Sequence, residues 1–224
     1  MCGRYSCLTE DEIIEIRSII QDISLKLVRD DVGSYYTHTV EIRPTDKSPV
    51  ITKEDDGIAF ENAKFGFKKW DGKGVIINAR SETIQTKSMF SRLLTIGRCV
   101  VPANEYYEWL EQADDTAKTR KKSKKIKHFI KDREGNLLFF AGLYQEGNDG
   151  REFVIITKDA IGEAATIHDR MPVILRTDQI ELWLNGTLTP SEITSLDFNT
   201  TVAPCEDEVV QQNDVEDRQL TLFD

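Results

Sequence analysis

Arg98-Cys99-Val100-Val101-Pro102-Ala103-Asn104-Glu105-Tyr106-Tyr107-Glu108-Trp109-Leu110 contains two short runs of β-branched, aliphatic and aromatic residues, at 99–102 and 106–110, with turn formers between them. Such side chains fit a pleated, half-buried surface, so both runs are predicted as strands. Runs of the same kind recur at 50–53, 58–68, 75–78, 126–131, 137–144 and 153–157. Helical spacing is rarer. Thr9-Glu10-Asp11-Glu12 has the form of a capping box, and Ile13, Ile14, Ile16, Ile19, Ile20 and Ile23 follow at roughly helical spacing, which predicts a helix over about 10–26. Shorter helices are expected at 88–96, at 160–167, and at 178–185 with Thr177 as cap and Gly186 as stop. The order is mixed and not an alternation of strand and helix, so the expected class is α+β: a mainly antiparallel sheet or open β-barrel core with flanking helices.

With 224 residues, the chain is long enough for one substantial core. We read one domain over 1–203 and an acidic, flexible tail over 204–224, in which apolar residues are too sparse to bury. Glu111–Lys125 reads as a mobile hairpin loop between two strands. No apolar stretch reaches the roughly 18 residues a bilayer crossing needs, and the first residues lack a secretory core, so a cytoplasmic protein without membrane attachment is expected.

The charge balance excludes indiscriminate coating of nucleic acid. Thirty-nine acidic residues against 29 basic ones give a net charge of −10, whereas that mode depends on dense phosphate neutralisation. Charge is nevertheless segregated: Lys118–Lys127 carries seven basic residues in ten, so a local groove can be positive on an acidic molecule. Cysteines at 2, 7, 99 and 205 form no CxxC pair and only three histidines accompany them, which argues against a zinc site and leaves free thiols as the default.

Free thiols draw attention to Met1-Cys2-Gly3-Arg4. A small second residue is compatible with loss of Met1, and loss would place an α-amine beside the Cys2 thiol. The α-amine has a pKa of about 7.7–8.0, against about 10.4 for lysine, so far more of it is unprotonated at neutral pH. An aldehyde attacked by that amine gives a Schiff base, and the thiol can then close a five-membered thiazolidine that hydrolyses far less readily. No internal Cys or Lys can do this, and no cofactor is needed. Alone, the tetrapeptide favours an ordinary residue behind a retained Met; three further clusters shift that reading.

Those clusters are Ile77-Asn78-Ala79-Arg80-Ser81-Glu82-Thr83, Arg98-Cys99-Val100-Val101-Pro102-Ala103 running on to Tyr107-Glu108-Trp109, and Ile167-His168-Asp169-Arg170-Met171-Pro172. With the amino-terminal tetrapeptide they resemble the SRAP family of SOS response-associated peptidases, or abasic-site processing proteins, in the same order and over nearly the whole chain. The resemblance implies a protein that traps the aldehyde of an abasic site in single-stranded DNA as a covalent adduct on Cys2 after Met1 is removed. It implies that Asn78 holds the Cys2 amine, that Glu108 shuttles protons with a carboxyl raised by burial, and that His168 acts as acid or base at the sugar or Schiff base. Arg4, Arg80 and Arg170 would bind phosphates, Trp70 and Pro44 would wedge against the bases beside the lesion, and Trp109 and Thr157 would line the DNA site. The chain departs from the family's pattern at Ile42-Arg43-Pro44-Thr45 and at Phe65-Gly66-Phe67-Lys68-Lys69-Trp70.

At the far end, Gln219-Leu220-Thr221-Leu222-Phe223-Asp224 resembles the short peptide by which bacterial repair proteins dock on the replication sliding clamp, with Gln219, Leu220, Leu222 and Phe223 as contacts. The expected partners are therefore abasic single-stranded DNA and the clamp, with the protein acting as a monomer near the nucleoid. Two other readings compete. Glutamine amidotransferases also begin Met-Cys-Gly and use a freed Cys2, but that reading leaves Asn78, Glu108 and His168 without a role. A non-enzymatic module that binds single-stranded DNA or the clamp would make Cys2 dispensable.

Overall fold

The computed structural model describes residues 2–6, 8–22, 26–33, 41–113 and 123–205. In chain order the strands are β1 Tyr5–Ser6, β2 Leu27–Asp30, β3 Glu41–Ile42, β4 Lys47–Glu54, β5 Gly57–Phe65, β6 Phe67–Lys68, β7 Val75–Ile76 and β8 Asn78–Arg80. They continue with β9 Arg98–Ala103, β10 Glu105–Ala113, β11 Ser123–Asp132, β12 Leu138–Gly147, β13 Gly150–Asp159, β14 Arg170–Pro172, β15 Ile174–Leu175 and β16 Thr200–Pro204. The helices are α1 Glu10–Asp22, α2 Ser88–Ser91, α3 Leu93–Ile96, α4 Thr177–Leu184 and α5 Pro190–Thr194, with a 3-10 turn at Gly162–Thr166.

The centre is a barrel of five strands. β13, β12, β9, β4 and β5 pair antiparallel in that order, and a parallel step between β5 and β13 closes the ring. Alternation along these strands separates two apolar faces. Ile51, Phe60, Val100, Ala141 and Val154 pack with Ile13, Ile16 and Ile20 of α1 and Ile180 and Trp183 of α4. The intervening residues, among them Val50, Phe65, Val101, Phe140 and Phe153, pack with Cys2 and with Tyr5 and Tyr106 of a second sheet ordered β16-β11-β10-β1-β3. Burying an aliphatic or aromatic side chain stabilises by roughly 1.5–3 kcal/mol, so both faces are strongly committed and the register between the sheets is held.

Local chemistry explains where these elements depart from the sequence expectations. The helix expected to reach residue 26 is described to Asp22, residues 23–25 lying outside the described residues, and Lys26 is already outside it: it leads into β2 beside β5, where the Ile58 N–H donates to Lys26 O at 2.8 Å. A Cβ on Gly57 would sit 2.0 Å from that carbonyl oxygen, so the approach needs glycine. The run at 58–68 breaks at Gly66, whose φ of 105° is left-handed and whose missing Cβ leaves room for the Val75 side chain. The strand expected at 75–78 is interrupted at Ile77. The helix expected at 88–96 is two short ones, because the hydrogen-bond ladder restarts at Arg92, whose carbonyl accepts from Thr95 N–H. The segment 160–167 holds only a 3-10 turn, cinched by the Ala160 N–H donating to Asp169 O. At α4 the cap is Arg176 and not Thr177: the Gln179 side chain reaches back to the Arg176 N–H at 2.9 Å.

The segment read as a hairpin loop is strand at both ends, where the β10–β11 ladder runs on to Ala113 opposite Ser123; residues 114–122, including most of the lysine-rich run, lie outside the described residues. The tail and its clamp-like peptide at 219–224 lie outside them too. α5, which no expectation included, carries its own signature: Thr189 Oγ1 accepts from Glu192 N–H and Glu192 Oε2 accepts from Thr189 N–H, with Pro190 at the first position. Among the described residues no helix is long and apolar enough to cross a membrane.

Candidate active site

Residue 2 is brought into the molecule by backbone pairing. Tyr5 stands opposite Tyr106 and opposite Ile42, and the Tyr107 N–H donates to Arg4 O at 2.9 Å, so the amino-terminal residues run antiparallel to β10 past Glu108. The Cys2 side chain is wholly buried. Burial pushes its thiol well above the ordinary range, and the nearby Glu108 carboxyl adds to this.

Three segments remote in sequence converge there. Asn78 opens β8, which lies parallel to β13, and its Nδ2 donates to Cys2 O at 3.1 Å and to Ile155 O at 3.4 Å. The sequence reading had Asn78 holding the Cys2 amine; the contact seen is to the carbonyl, and Asn78 Oδ1 is buried without a hydrogen-bond partner among the described residues. Glu108 lies in the middle of β10, 4% exposed, and burial raises its carboxyl above the usual range while the facing His168 pulls the other way. His168 follows the 3-10 turn. Its Nδ1 accepts the Arg170 N–H at 3.0 Å and lies 2.6 Å from Asp169 Oδ1. The Arg170 N–H calls for an acceptor at Nδ1 and the Asp169 carboxylate for a donor, so the two partners compete for that atom.

Arg4, Glu108, Trp109, Lys125 and His168 line a cavity of about 630 Å³. The Arg4 guanidinium stacks 5.0 Å from the Trp109 ring centre and pairs at 2.8 Å with Glu41, which also holds Lys127. Both cations hold the Glu41 carboxyl below its usual range against the cost of burying it. Glu41 was not singled out from sequence; its only signal was its place two residues before Arg43. A cleft of about 440 Å³ lined by Glu15, Asp132 and Asp197 gathers no nucleophile.

The remaining expected residues divide. Arg80 is exposed two residues beyond Asn78, and no salt bridge engages it among the described residues. Trp70 stands 97% exposed at a tight turn in which Gly72 N–H donates to Lys69 O. Pro44 is the second residue of a turn closed by Asp46 N–H to Arg43 O, in which Thr45 takes a left-handed φ of 82°, a position that disfavours a β-branched residue. Thr45, Lys68 and Gly72 border one cleft of about 430 Å³, so the two wedge segments are neighbours.

Thr157 and Arg170 turn elsewhere. Arg170 is buried, with Nη1 and Nη2 donating to the two Glu82 oxygens at 2.8 and 3.0 Å, Nη2 donating also to Thr157 O at 2.8 Å, and Asp159 in contact. The phosphate role expected of Arg170 does not fit this arrangement, because a guanidinium spent on two carboxylates and a carbonyl has little left to offer a phosphate. Thr157 is buried, its Oγ1 3.4 Å from the same guanidinium.

Comparison with known proteins agrees with this architecture. The sequence profile of the family described as SOS response associated peptidase (SRAP) matches residues 1–218. The abasic site processing protein YoqW of Bacillus subtilis is 33% identical over 204 residues, covering 83% of this chain and 80% of its own. The abasic site processing protein YedK of Escherichia coli is 26% identical, covering 88% and 85%. Among solved structures, a phage-related protein from Bordetella bronchiseptica superposes with a TM-score of 0.69 at 26% identity over 93% of this chain and 96% of that one. A Bacteroides thetaiotaomicron protein superposes with a TM-score of 0.66 at 22% identity over 92% and 93%, sharing the fold. With a profile match over nearly its whole length and relatives of that similarity, the chain belongs to the SRAP family of abasic-site processing proteins.

Proposed function

We propose that this protein captures abasic sites in single-stranded DNA by forming a thiazolidine between Cys2 and the ring-opened sugar. The observation that carries the reading is the meeting of Asn78, Glu108 and the Cys2 backbone from three separate segments, Asn78 lying 76 residues beyond Cys2, beside a cavity that Glu108, His168 and Arg4 line. Removal of Met1 frees the α-amine. The amine nitrogen bonds to the aldehyde carbon, and loss of water leaves a protonated imine. The thiol sulfur then bonds to the imine carbon, the C=N electron pair returns to nitrogen as a secondary amine, and the sulfur's proton passes to a base. Glu108 suits that exchange, since burial raises its carboxyl and lets it take up a proton more readily than an ordinary glutamate. The Asn78 Oδ1, buried without a hydrogen-bond partner among the described residues, suits acceptance from the freed amine, and the His168 ring beside the cavity suits proton transfer to the leaving oxygen. Arg4 and Arg80 serve the phosphates, and Trp70 and Pro44 cover the flanking bases, which selects for the lesion and not for sequence. We further read the 219–224 peptide as a sliding-clamp tether on a monomeric, nucleoid-associated protein.

The test is direct. Protein with Met1 removed, incubated with abasic single-stranded DNA, should give a heat-stable cross-link that Cys2→Ala abolishes, with the adduct on residue 2 by mass spectrometry. An adduct on a lysine would overturn the reading in favour of ordinary Schiff-base lyase chemistry.

A further inference from the structure

Tyr106 is not needed for the mechanism as stated, yet it lies next to it. Its side chain is 1% exposed and packs edge-on against Phe140 at 6.0 Å, within the same inner cluster as Cys2 and Tyr5. It stands directly across the ladder from Tyr5 and two residues before Glu108, so the two side chains leave the strand on the same face. Its hydroxyl has no hydrogen-bond partner among the described residues. A buried, unpaired hydroxyl destabilises a protein, and phenylalanine would fill the same space without that cost. Burial raises the phenol's pKa well above its ordinary value, and charge on Cys2 or Glu108 raises it further, so it is a neutral O–H within the field of both groups.

We propose that Tyr106 is a positioning residue for the second bond-forming step, its hydroxyl donating a hydrogen bond to the Cys2 sulfur as that sulfur closes on the imine carbon. The inference rests on the thiazolidine reading above. In the closing step the S–C bond forms, the imine pair returns to nitrogen and the thiol proton leaves to Glu108; the sulfur passes through a thiolate-like state within the apolar cluster that Cys2 shares with Tyr106. A neutral donor there stabilises that state without trapping the resting thiol, and it leaves attack by the amine untouched.

The two steps separate experimentally. Borohydride reduction counts protein held as imine, and heat without reductant counts protein held as thiazolidine. Tyr106→Phe should form the imine at the unaltered rate and convert it about tenfold more slowly, with the pH profile of conversion displaced upward and a melting temperature equal to or above that of the parent. Tyr106→Met, which keeps apolar volume without a hydroxyl, should show the same partition, so a folding defect in one variant does not decide the matter. Conversion at the parent rate in both variants overturns the inference and leaves the Cys2 reading standing. Absence of any cross-link in the parent overturns both.

Discussion

Arg170→Met separates two roles for one side chain. The side chain is 10% exposed, and its guanidinium donates to both Glu82 oxygens and to the Thr157 carbonyl. Methionine fills much of the volume but leaves Glu82 and the carbonyl unanswered. Removing one member of a buried pair costs about 3–5 kcal/mol; since Glu82 is 39% exposed and partly rehydrates, the low end applies, about 3 kcal/mol. For a chain of this size that is a fall in Tm of about 6–12 °C. Thermal unfolding reads the first quantity, and binding to undamaged single-stranded DNA across a salt series reads the second. The slope of log K against log salt should be unchanged, because each phosphate contact on a single strand contributes about 0.7 to it and Arg170 makes none. Glu82→Gln should destabilise in the same direction, and the double variant should fall well short of the sum, as expected for one network. An unaltered Tm together with a slope reduced by about 0.7 would refute the argument and return Arg170 to the phosphates.

Glu108→Gln should slow cross-linking by about 10²–10⁴-fold, the usual contribution of a positioned acid or base. Because burial raises this carboxyl, the stability that goes with its neutral form is present at acid pH and lost as pH rises through the raised value; the uncharged variant escapes that loss, so it should match the parent near pH 4 and exceed it at pH 8 by urea unfolding, and identical pH profiles would contradict the assignment. Trp70→Ala, at an exposed turn, should leave stability within about 0.5 kcal/mol yet weaken binding to single-stranded DNA by about 1–3 kcal/mol in fluorescence titration; unaffected binding would remove Trp70 from the interface.

Much of the fold is legible locally. The α1 start follows from Thr9 and Glu12, and the strands at 99–102, 106–110, 126–131, 137–144 and 153–157 follow from their composition, each lying within an observed strand or nearly so. The short strands β1, β3, β14 and β15 are two or three residues each, too brief to show a period of their own; β1, β14 and β15 form on the edges of longer neighbours, and β3 in turn on β1. The candidate site divides in the same way. Motif order placed Cys2, Asn78, Glu108 and His168 on one list, since residue type and neighbours carry chemical capacity. It placed Arg170 with the phosphate ligands because an arginine in a motif reads the same whether it faces solvent or a buried carboxylate.

What the sequence determined by itself is therefore the chemical inventory and the period of each segment: a second-position cysteine, a capping box, alternating apolar runs, and motifs in a family's order. Only the tertiary structure decided which groups meet. The parallel β5–β13 step closes the barrel, β8 lies beside β13, and β1 lies beside β10, so Asn78 reaches the Cys2 carbonyl across 76 residues while Arg170 turns away to Glu82. The physical reason is that such contacts depend on the register between strands distant in sequence, which the packing of two apolar faces sets cooperatively and no local window contains.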